Sequence, residues 1–164
     1  ENDFNENVIG KILREGDLEF VPLFSCKIYV FMAKSNPLAK KELIQMEDLM
    51  DYPCCSFDQG ERNSFYFAEE VLSTYSYKKI IKVNDRATIL NLMVGLNGYT
   101  LCSGIICQEL NGPEYIAIPL DTKESMRIGY IKHKKMRLSE LGKRYVEELK
   151  KYEKQQSGPI SAGV

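Results

Sequence analysis

The hydrophobic positions of this chain change between helical and strand periodicity, and in the first third they predict three short elements. Apolar residues at helical spacing indicate a helix over residues 4–15, and a β-branched and aromatic run indicates a buried strand over 26–33. Asn36-Pro37 stops that strand, since the residue before a proline avoids helical geometry. Residues 46–50 are typical of a single helical turn.

Strands and helices alternate in the middle of the chain. We predict strands over 53–57, 80–83 and 99–102. Each strand is followed by a helix: the first begins at Asn63 or Ser64 and runs to 75, the second is begun by Asp85 and ended by Asn97-Gly98, and the third is a small helix over 104–110. This alternation implies βαβ units and therefore an α/β fold with a parallel or mixed sheet covered by helices.

The last third of the chain predicts two strands and a long helix. The strands cover 115–120 and 127–132. Ser139 is placed to cap the helix, whose inward positions we expect to be Leu141, Tyr145, Leu149 and Tyr152. The tail over 153–164 is polar and ends in Ser-Gly-Pro-Ile-Ser-Ala-Gly, which is typical of a flexible terminus.

The composition is that of an ordinary soluble globular protein, with 44% hydrophobic and 27% charged residues. The 22 Lys and Arg residues nearly balance the 23 Asp and Glu residues, which argues against a nucleic-acid surface on this chain. No apolar run approaches the roughly 18 residues of a membrane span, so no membrane partner is expected. The first residues lack the basic start and apolar centre of a signal peptide.

The five cysteines, Cys26, Cys54, Cys55, Cys102 and Cys107, are odd in number and follow no disulfide framework. Most of them lie among apolar residues. Reduced, buried thiols and a cytoplasmic location follow from this pattern.

Candidate ligand contacts follow three of the predicted strands. In open α/β sheets, ligands bind outside the carboxyl ends of the strands, beside helix N-termini. The three places are the loop with Ser56, Phe57 and Gln59 that leads to Asn63 and Ser64, the turn with Asp85 and Arg86, and the strand end at Ser103. Free N–H groups at a helix start favour an anion or a carboxylate, the serines add hydroxyl donors, and Arg86 supplies charge.

Local explanations stand beside this interpretation. Asn63, Ser64 and Asp85 are residue types that cap helices without any ligand. Gln59-Gly60 is also typical of a simple turn, and Arg86 beside Asp85 is also typical of a solvated surface charge.

The sequence gives little support to an enzyme, and we predict no catalytic residue, metal or cofactor. The single histidine, His133, lies in the basic run Lys132-His133-Lys134-Lys135, and no Cys or His set has zinc spacing. Gly95-x-x-Gly98 follows a helix, whereas a phosphate-binding loop opens one. An activated thiol at Cys102 or Cys107 is the remaining enzymatic alternative, with buried packing as the local explanation.

Four segments, taken in order, carry a family resemblance. They are Leu23-Phe24 with the strand that runs into Ser35-Asn36-Pro37-Leu38-Ala39, Met46-Glu47-Asp48-Leu49 with Tyr52-Pro53, Leu92 to Thr100, and Gly129-Tyr130-Ile131-Lys132 with Leu138-Ser139. In this order they resemble the effector-binding domain of LysR-type transcriptional regulators over about residues 20–152. Asn36 stands where that family usually has histidine in a His-Pro-Leu-Ala motif.

The resemblance implies a fold like that of type 2 periplasmic binding proteins, which have two α/β lobes and a cleft between them. Residues 26–132 would form mainly the second lobe, with a mixed sheet flanked by helices. Residues 1–25 would be a remnant of the first lobe, 133–152 its C-terminal helix and 153–164 a tail. The rest of the first lobe would lie outside this sequence, so the final helix would expose an apolar face and the chain would self-associate to cover it.

The resemblance also implies a function. A small-molecule effector would bind between the lobes, with Ser56 as the first candidate contact because the family often has Ser or Thr there, and would control DNA binding by a helix-turn-helix domain outside this sequence. The expected assembly is a homo-oligomer. A solute-binding protein of a transporter shares the fold and remains the alternative, and the cysteines and the absence of a signal peptide argue against it.

Overall fold

The computed structural model describes residues 10–58 and 77–156, with side chains to residue 153. Gln59, Asn63, Ser64 and the helix predicted up to residue 75 lie outside the described residues, as do residues 4–9 of the helix predicted over 4–15. Residues 10–15 of that predicted helix are helical. The chain forms two compact units, one over Lys27–Ser125 and the other from the segments that end at Cys26 and begin at Met126. No helix in the described ranges is long and apolar enough to span a membrane.

The unit over Lys27–Ser125 is built on a five-stranded mixed sheet. Its strands are β2 (Tyr29–Ala33), β3 (Cys54–Phe57), β4 (Ile80–Val83), β5 (Tyr99–Cys102) and β6 (Tyr115–Pro119), in the spatial order β4-β3-β5-β2-β6. Strand β3 is parallel to β4 and β5, whereas β2 is antiparallel to β5 and β6. The predicted mixed sheet of an α/β fold is confirmed.

Strand β2 divides the core of this unit into two layers, because successive side chains of a strand point to opposite faces. Val30 and Met32, both fully buried, pack in one cluster with Leu38 and Leu49 from the 3₁₀ turns Pro37–Lys40 and Met46–Asp51. Phe31 packs in the other cluster with residues of helix α1 (Arg86–Gly95). The predicted helical turn near 46–50 is confirmed as the second of these 3₁₀ turns.

Helix α1 begins and ends where the sequence predicts. The Asp85 side chain caps it, and Asn97 adopts the left-handed conformation, with φ 52°, just beyond its end. Ile89 and Met93 are buried, whereas Leu96 is 52% exposed. Leu96 is exposed because the helix ends at Gly95 and Leu96 is already its C-cap.

The other unit contains two long strands, β1 (Leu18–Lys27) and β7 (Ser125–His133), which pair as a two-stranded sheet. The backbone N–H of Lys134 donates to the carbonyl of Asp17, and the Lys132 ammonium donates to Glu19. The strand predicted over 26–33 is divided at Ile28 between the end of β1 and the whole of β2, and no strand was predicted over residues 18–25. Pro22 inside the run hides β1, since proline is excluded from central strands and tolerated only at positions such as an edge.

Helix α3 (Glu140–Gln156) closes the described chain, and helix α2 (Gln108–Asn111) is a single turn that precedes β6. Ser139 caps α3 as predicted, since its Oγ accepts from the backbone N–H of Gly142 at 3.1 Å. Leu141 and Tyr145 are 79% and 65% exposed, so the prediction that they point inward is wrong. An exposed apolar face on this helix is what the family resemblance implied.

Candidate functional site

The carboxyl ends of β3, β4 and β5 lie at one edge of the mixed sheet because these strands run parallel. Phe57 pairs with Val83 at the ends of β3 and β4, and the backbone N–H of Asp58 donates to the Val83 carbonyl at 2.7 Å. The described residues of the three candidate loops lie at these strand ends, so the structure brings those residues to the same edge. We call this the carboxyl edge, defined by the residues that follow Cys55, Val83 and Leu101.

Ser56 lies at the middle of the carboxyl edge, in the strand between β4 and β5. It is only 8% exposed, whereas its neighbour Phe57 is 42% exposed. Alternation along β3 places Ser56 on the face of Cys54 and Phe57 on the face of Cys55. The edge therefore presents a partly sheltered hydroxyl beside an accessible aromatic ring.

Asp85 uses its carboxylate to cap helix α1. It accepts from the backbone N–H of Thr88 at 2.8 Å and also from the Thr88 hydroxyl. These two hydrogen bonds stabilise the ionised form and lower the pKa of Asp85. The start of α1 thus already faces a fixed negative charge, and an anion bound there would be repelled by it. Helix capping without a ligand, the local explanation for Asp85, therefore describes what this side chain does.

Arg86 does not extend into solvent as an isolated charge. Its Nη2 donates to Oδ1 of Asn111 at 2.5 Å, and Nδ2 of Asn111 donates to the Cys107 carbonyl at 2.7 Å. Asn111 is 8% exposed and was not among the candidate residues predicted from the sequence, where it stands in the turn-like run Asn111-Gly112-Pro113. A buried polar residue cannot be recognised from its turn context alone, because its partner is 25 residues away.

Ser103 follows β5 at the carboxyl edge but does not begin a helix. The predicted helix over 104–110 is wrong: the helical turn is Gln108–Asn111, and Gly104 has a left-handed φ of 76°. The Ser103 Oγ accepts from the backbone N–H of Ile105 at 3.3 Å, and the Cys102 Sγ accepts from that of Gly104 at 3.3 Å. This strand end therefore offers side-chain groups and a local turn, and it offers no helix N-terminus.

The cysteines divide into buried and accessible thiols. Burial raises the pKa of Cys26 and of Cys55, which keeps both thiols protonated at neutral pH. Cys107 is exposed, and its Sγ donates to Glu109 at 3.1 Å, an interaction that lowers the pKa of Glu109. Among the residues that the structure describes, no group of three or more His, Cys, Asp or Glu side chains is arranged to hold a metal ion.

The mixed sheet with helices at its faces and parallel strand ends at one edge is the α/β architecture of the type 2 periplasmic-binding-protein-like domains. The family model for the LysR substrate binding domain matches residues 8–154, and the chain belongs to this family. That match supports the regulator interpretation and gives no support to the transporter alternative. No curated protein matches the sequence.

Three solved structures to which the chain is similar are regulators or effector-binding domains. The effector binding domain of QuiR in complex with shikimate has 17% identity and a TM-score of 0.55, over 92% of this chain and 78% of that one. The BenM effector binding domain with benzoate has 16% identity and a TM-score of 0.59, over 94% and 78%. HinK, a LysR family regulator from Pseudomonas aeruginosa, has 14% identity and a TM-score of 0.60, over 84% of this chain and 49% of HinK.

Proposed function

We propose that this chain senses a small-molecule effector for a LysR-type transcriptional regulator, and that the carboxyl edge contributes half of the effector site. The observation that carries the proposal is the convergence of three parallel strand ends, each followed by polar side chains, in a chain of this family. Ligands of open α/β sheets bind at such strand ends because loop side chains and free backbone groups meet there.

The proposed contacts share the carboxyl edge or the loop that follows β3. They are Ser56, Phe57, Gln59, Asn63, Ser64, Asp85, Arg86 and Ser103. Hydroxyl and amide groups suit a ligand with carboxylate or hydroxyl oxygens, and the exposed Phe57 ring suits an apolar ring or chain next to them. Shikimate, which is bound to QuiR, and benzoate, which is bound to BenM, each combine a carboxylate with a carbon ring.

The proposed mechanism is a population shift. An effector that binds between two lobes favours one relative arrangement of them by its difference in affinity for the two arrangements. Residues 26–132 are proposed as mainly the second lobe, with 1–25 and 133–152 belonging to the first. DNA binding is assigned to a helix-turn-helix domain outside this sequence, and the location to the cytoplasm.

A homo-oligomer of this chain is proposed, and the exposed face of helix α3 is the surface that supports it. Leu141, Tyr145 and Tyr152 lie 79%, 65% and 41% exposed on this helix. Large apolar side chains at neighbouring positions of one helix are costly to leave in water, so a second copy that covers them is stabilised.

A thermal-shift screen tests the effector proposal directly. The parent and the Ser56→Ala variant are screened against benzoate, shikimate, amino acids and inorganic anions, and each midpoint is compared with that of the same protein without ligand. A compound that raises the midpoint of the parent and has a much smaller effect on Ser56→Ala supports the site. Ser25→Ala on β1, an exposed serine, is the matched control and is expected to respond like the parent.

A regulatory rather than catalytic role is proposed, since three of the five thiols lack the features of an activated nucleophile. Cys26 and Cys55 are held protonated by burial, and Cys107 donates to a carboxylate. A thiol-alkylation assay at neutral pH compares the parent with Cys102→Ser and Cys107→Ser. Reaction at the rate of an ordinary exposed thiol is expected, and a fast phase abolished by Cys102→Ser would favour the enzyme alternative.

A further inference from the structure

Asn111 lies outside the proposed set of effector contacts, yet its side chain is more than nine-tenths buried and connects two parts of the carboxyl edge. One end of its amide accepts from Arg86, the first residue of α1, and the other end donates to the Cys107 carbonyl in the segment that follows β5. A buried amide with both ends bonded has one favourable orientation, because any rotation leaves a polar group without its partner.

The end of the segment between Ser103 and Gln108 is tied down by this connection. Elsewhere the segment is held by local turns at Cys102 and Ser103, by the approach of Gly104 to the Tyr29 ring and by Ile106, which packs against the core cluster that contains Phe31. Asn111 adds a second hydrogen bond to the same Cys107 carbonyl through its own backbone N–H, at 3.1 Å. The end of the segment is thus tied by Asn111 to a side chain of a different element.

The hydrogen bond to Asn111 also restricts the orientation of the Arg86 side chain. An arginine at the start of an exposed helix turn samples many rotamers, and a hydrogen bond to a buried acceptor removes most of that freedom. Since Asp85 already caps α1, the guanidinium is directed by Asn111 across to the segment after β5.

We propose that Asn111 is a positioning residue of the effector site: it orients the Arg86 guanidinium and fixes the segment over residues 103–107 at the carboxyl edge. The proposal rests on the proposed function for its biological meaning, since it explains how two of the three candidate loops are held relative to each other. It predicts properties of the ligand-free protein, so its own test needs no effector.

The test separates the effect of the Asn111 side-chain oxygen, which accepts from Arg86, from that of its N–H group, which donates to Cys107. Asn111→Ala removes both hydrogen bonds, whereas Asn111→Asp keeps an oxygen acceptor for Arg86 and loses the donor to Cys107. The readouts are the Arg86 side-chain N–H signals in a ¹H–¹⁵N NMR spectrum, assigned with Arg86→Lys, and amide hydrogen exchange over residues 103–112. Arg137→Gln, at an exposed arginine of the other unit, is the matched control.

In the parent we expect Arg86 side-chain signals that exchange slowly with water. Asn111→Ala is expected to lose them and to accelerate exchange over 103–112 by about tenfold, the effect of losing one or two buried hydrogen bonds. Asn111→Asp is expected to retain the Arg86 signals while exchange near Cys107 still accelerates. Arg137→Gln is expected to change neither readout.

Unchanged Arg86 signals and unchanged exchange in Asn111→Ala would overturn the proposal. If Asn111→Ala fails to fold, Arg86→Gln tests the same hydrogen bond by removing its donor. Parent-like hydrogen exchange over 103–112 in Arg86→Gln would also overturn the proposal. A ligand screen without any hit would weaken the proposed function and leave this result standing, so the two failures are distinguishable.

Discussion

The side-chain amide of Asn36 donates a 2.8 Å hydrogen bond to the backbone carbonyl of Asn97, and the Asn36 Oδ1 accepts from the backbone N–H of Leu38 at 2.9 Å. Asn36 is only 1% exposed. One buried side chain therefore fastens the turn after β2 to the left-handed residue between α1 and β5.

Replacing Asn36 with leucine is expected to lower the free energy of unfolding by roughly 2 kcal/mol or more, because both backbone groups lose their partner in a buried place. Urea unfolding followed by circular dichroism measures the change. Asn97→Gly is the matched control, since it keeps the accepting carbonyl and the left-handed backbone, and it is expected to change stability by less than about 0.5 kcal/mol. Parent-like stability of Asn36→Leu would contradict the assigned role.

The same Gly→Ala substitution is expected to have opposite signs at two positions. At Gly104, with φ 76°, a Cβ would lie 2.5 Å from the Tyr29 ring, so alanine meets both backbone strain and a clash and is expected to cost about 2 kcal/mol or more. At Gly95, the last residue of α1, a Cβ meets nothing within 4 Å, and alanine is expected to stabilise by about 0.5 kcal/mol.

Thermal midpoints of the two alanine variants check this pair. Tyr29→Ala in the Gly104→Ala background is expected to remove the clash and leave only the backbone strain, so the combined loss should be smaller than the sum of the single losses. Strict additivity would show that the ring is not what limits the size of residue 104.

Asp85 is expected to make stability depend on pH in the acid range. Hydrogen bonds from Thr88 lower its pKa in the folded state, so the stabilisation is fully present above the unfolded-state pKa of about 4 and is lost as the pH falls through the folded-state pKa. Asp85→Asn keeps a capping oxygen without titrating. We expect the parent to lose more stability than Asp85→Asn between neutral and strongly acid pH.

Urea unfolding at several pH values measures this difference. Asp85→Ala, which lacks the cap at every pH, is expected to be less stable than the parent at neutral pH. Parallel pH profiles for the parent and Asp85→Asn would show that the carboxylate contributes nothing beyond the capping oxygen.

The exposed face of α3 is expected to drive self-association. Leu141→Glu combined with Tyr145→Glu should weaken the association of the chain at least tenfold, since each large apolar side chain contributes about 1.5–3 kcal/mol when it is buried. Sedimentation velocity measures the effect, and Lys150→Glu on the same helix is the charge-matched control. A parent that stays monomeric at every concentration, with α3 folded, would remove the proposed assembly surface.

Local signals in the sequence were sufficient for the helix caps and for the end of α1. Asp85 and Ser139 cap their helices as predicted, and Asn97 takes the left-handed conformation, because capping and helix termination depend on residues within one turn. The alternation of strands 53–57, 80–83 and 99–102 with helices predicted a parallel or mixed sheet, and β3 pairs parallel with β4 and β5 in a mixed sheet.

Contacts between residues far apart in the chain determined the features that could not be predicted from the sequence. Strand β1 exists because β7 pairs with it from about one hundred residues away, as the 100-residue separation between Cys26 and its acceptor Met126 illustrates, and Pro22 conceals it locally. The partnership of Arg86 with Asn111 likewise appears only when α1 and α2 are brought together. Periodicity and capping depend on neighbours along the chain, whereas pairing and burial depend on which distant segments meet, and only the tertiary structure determines that.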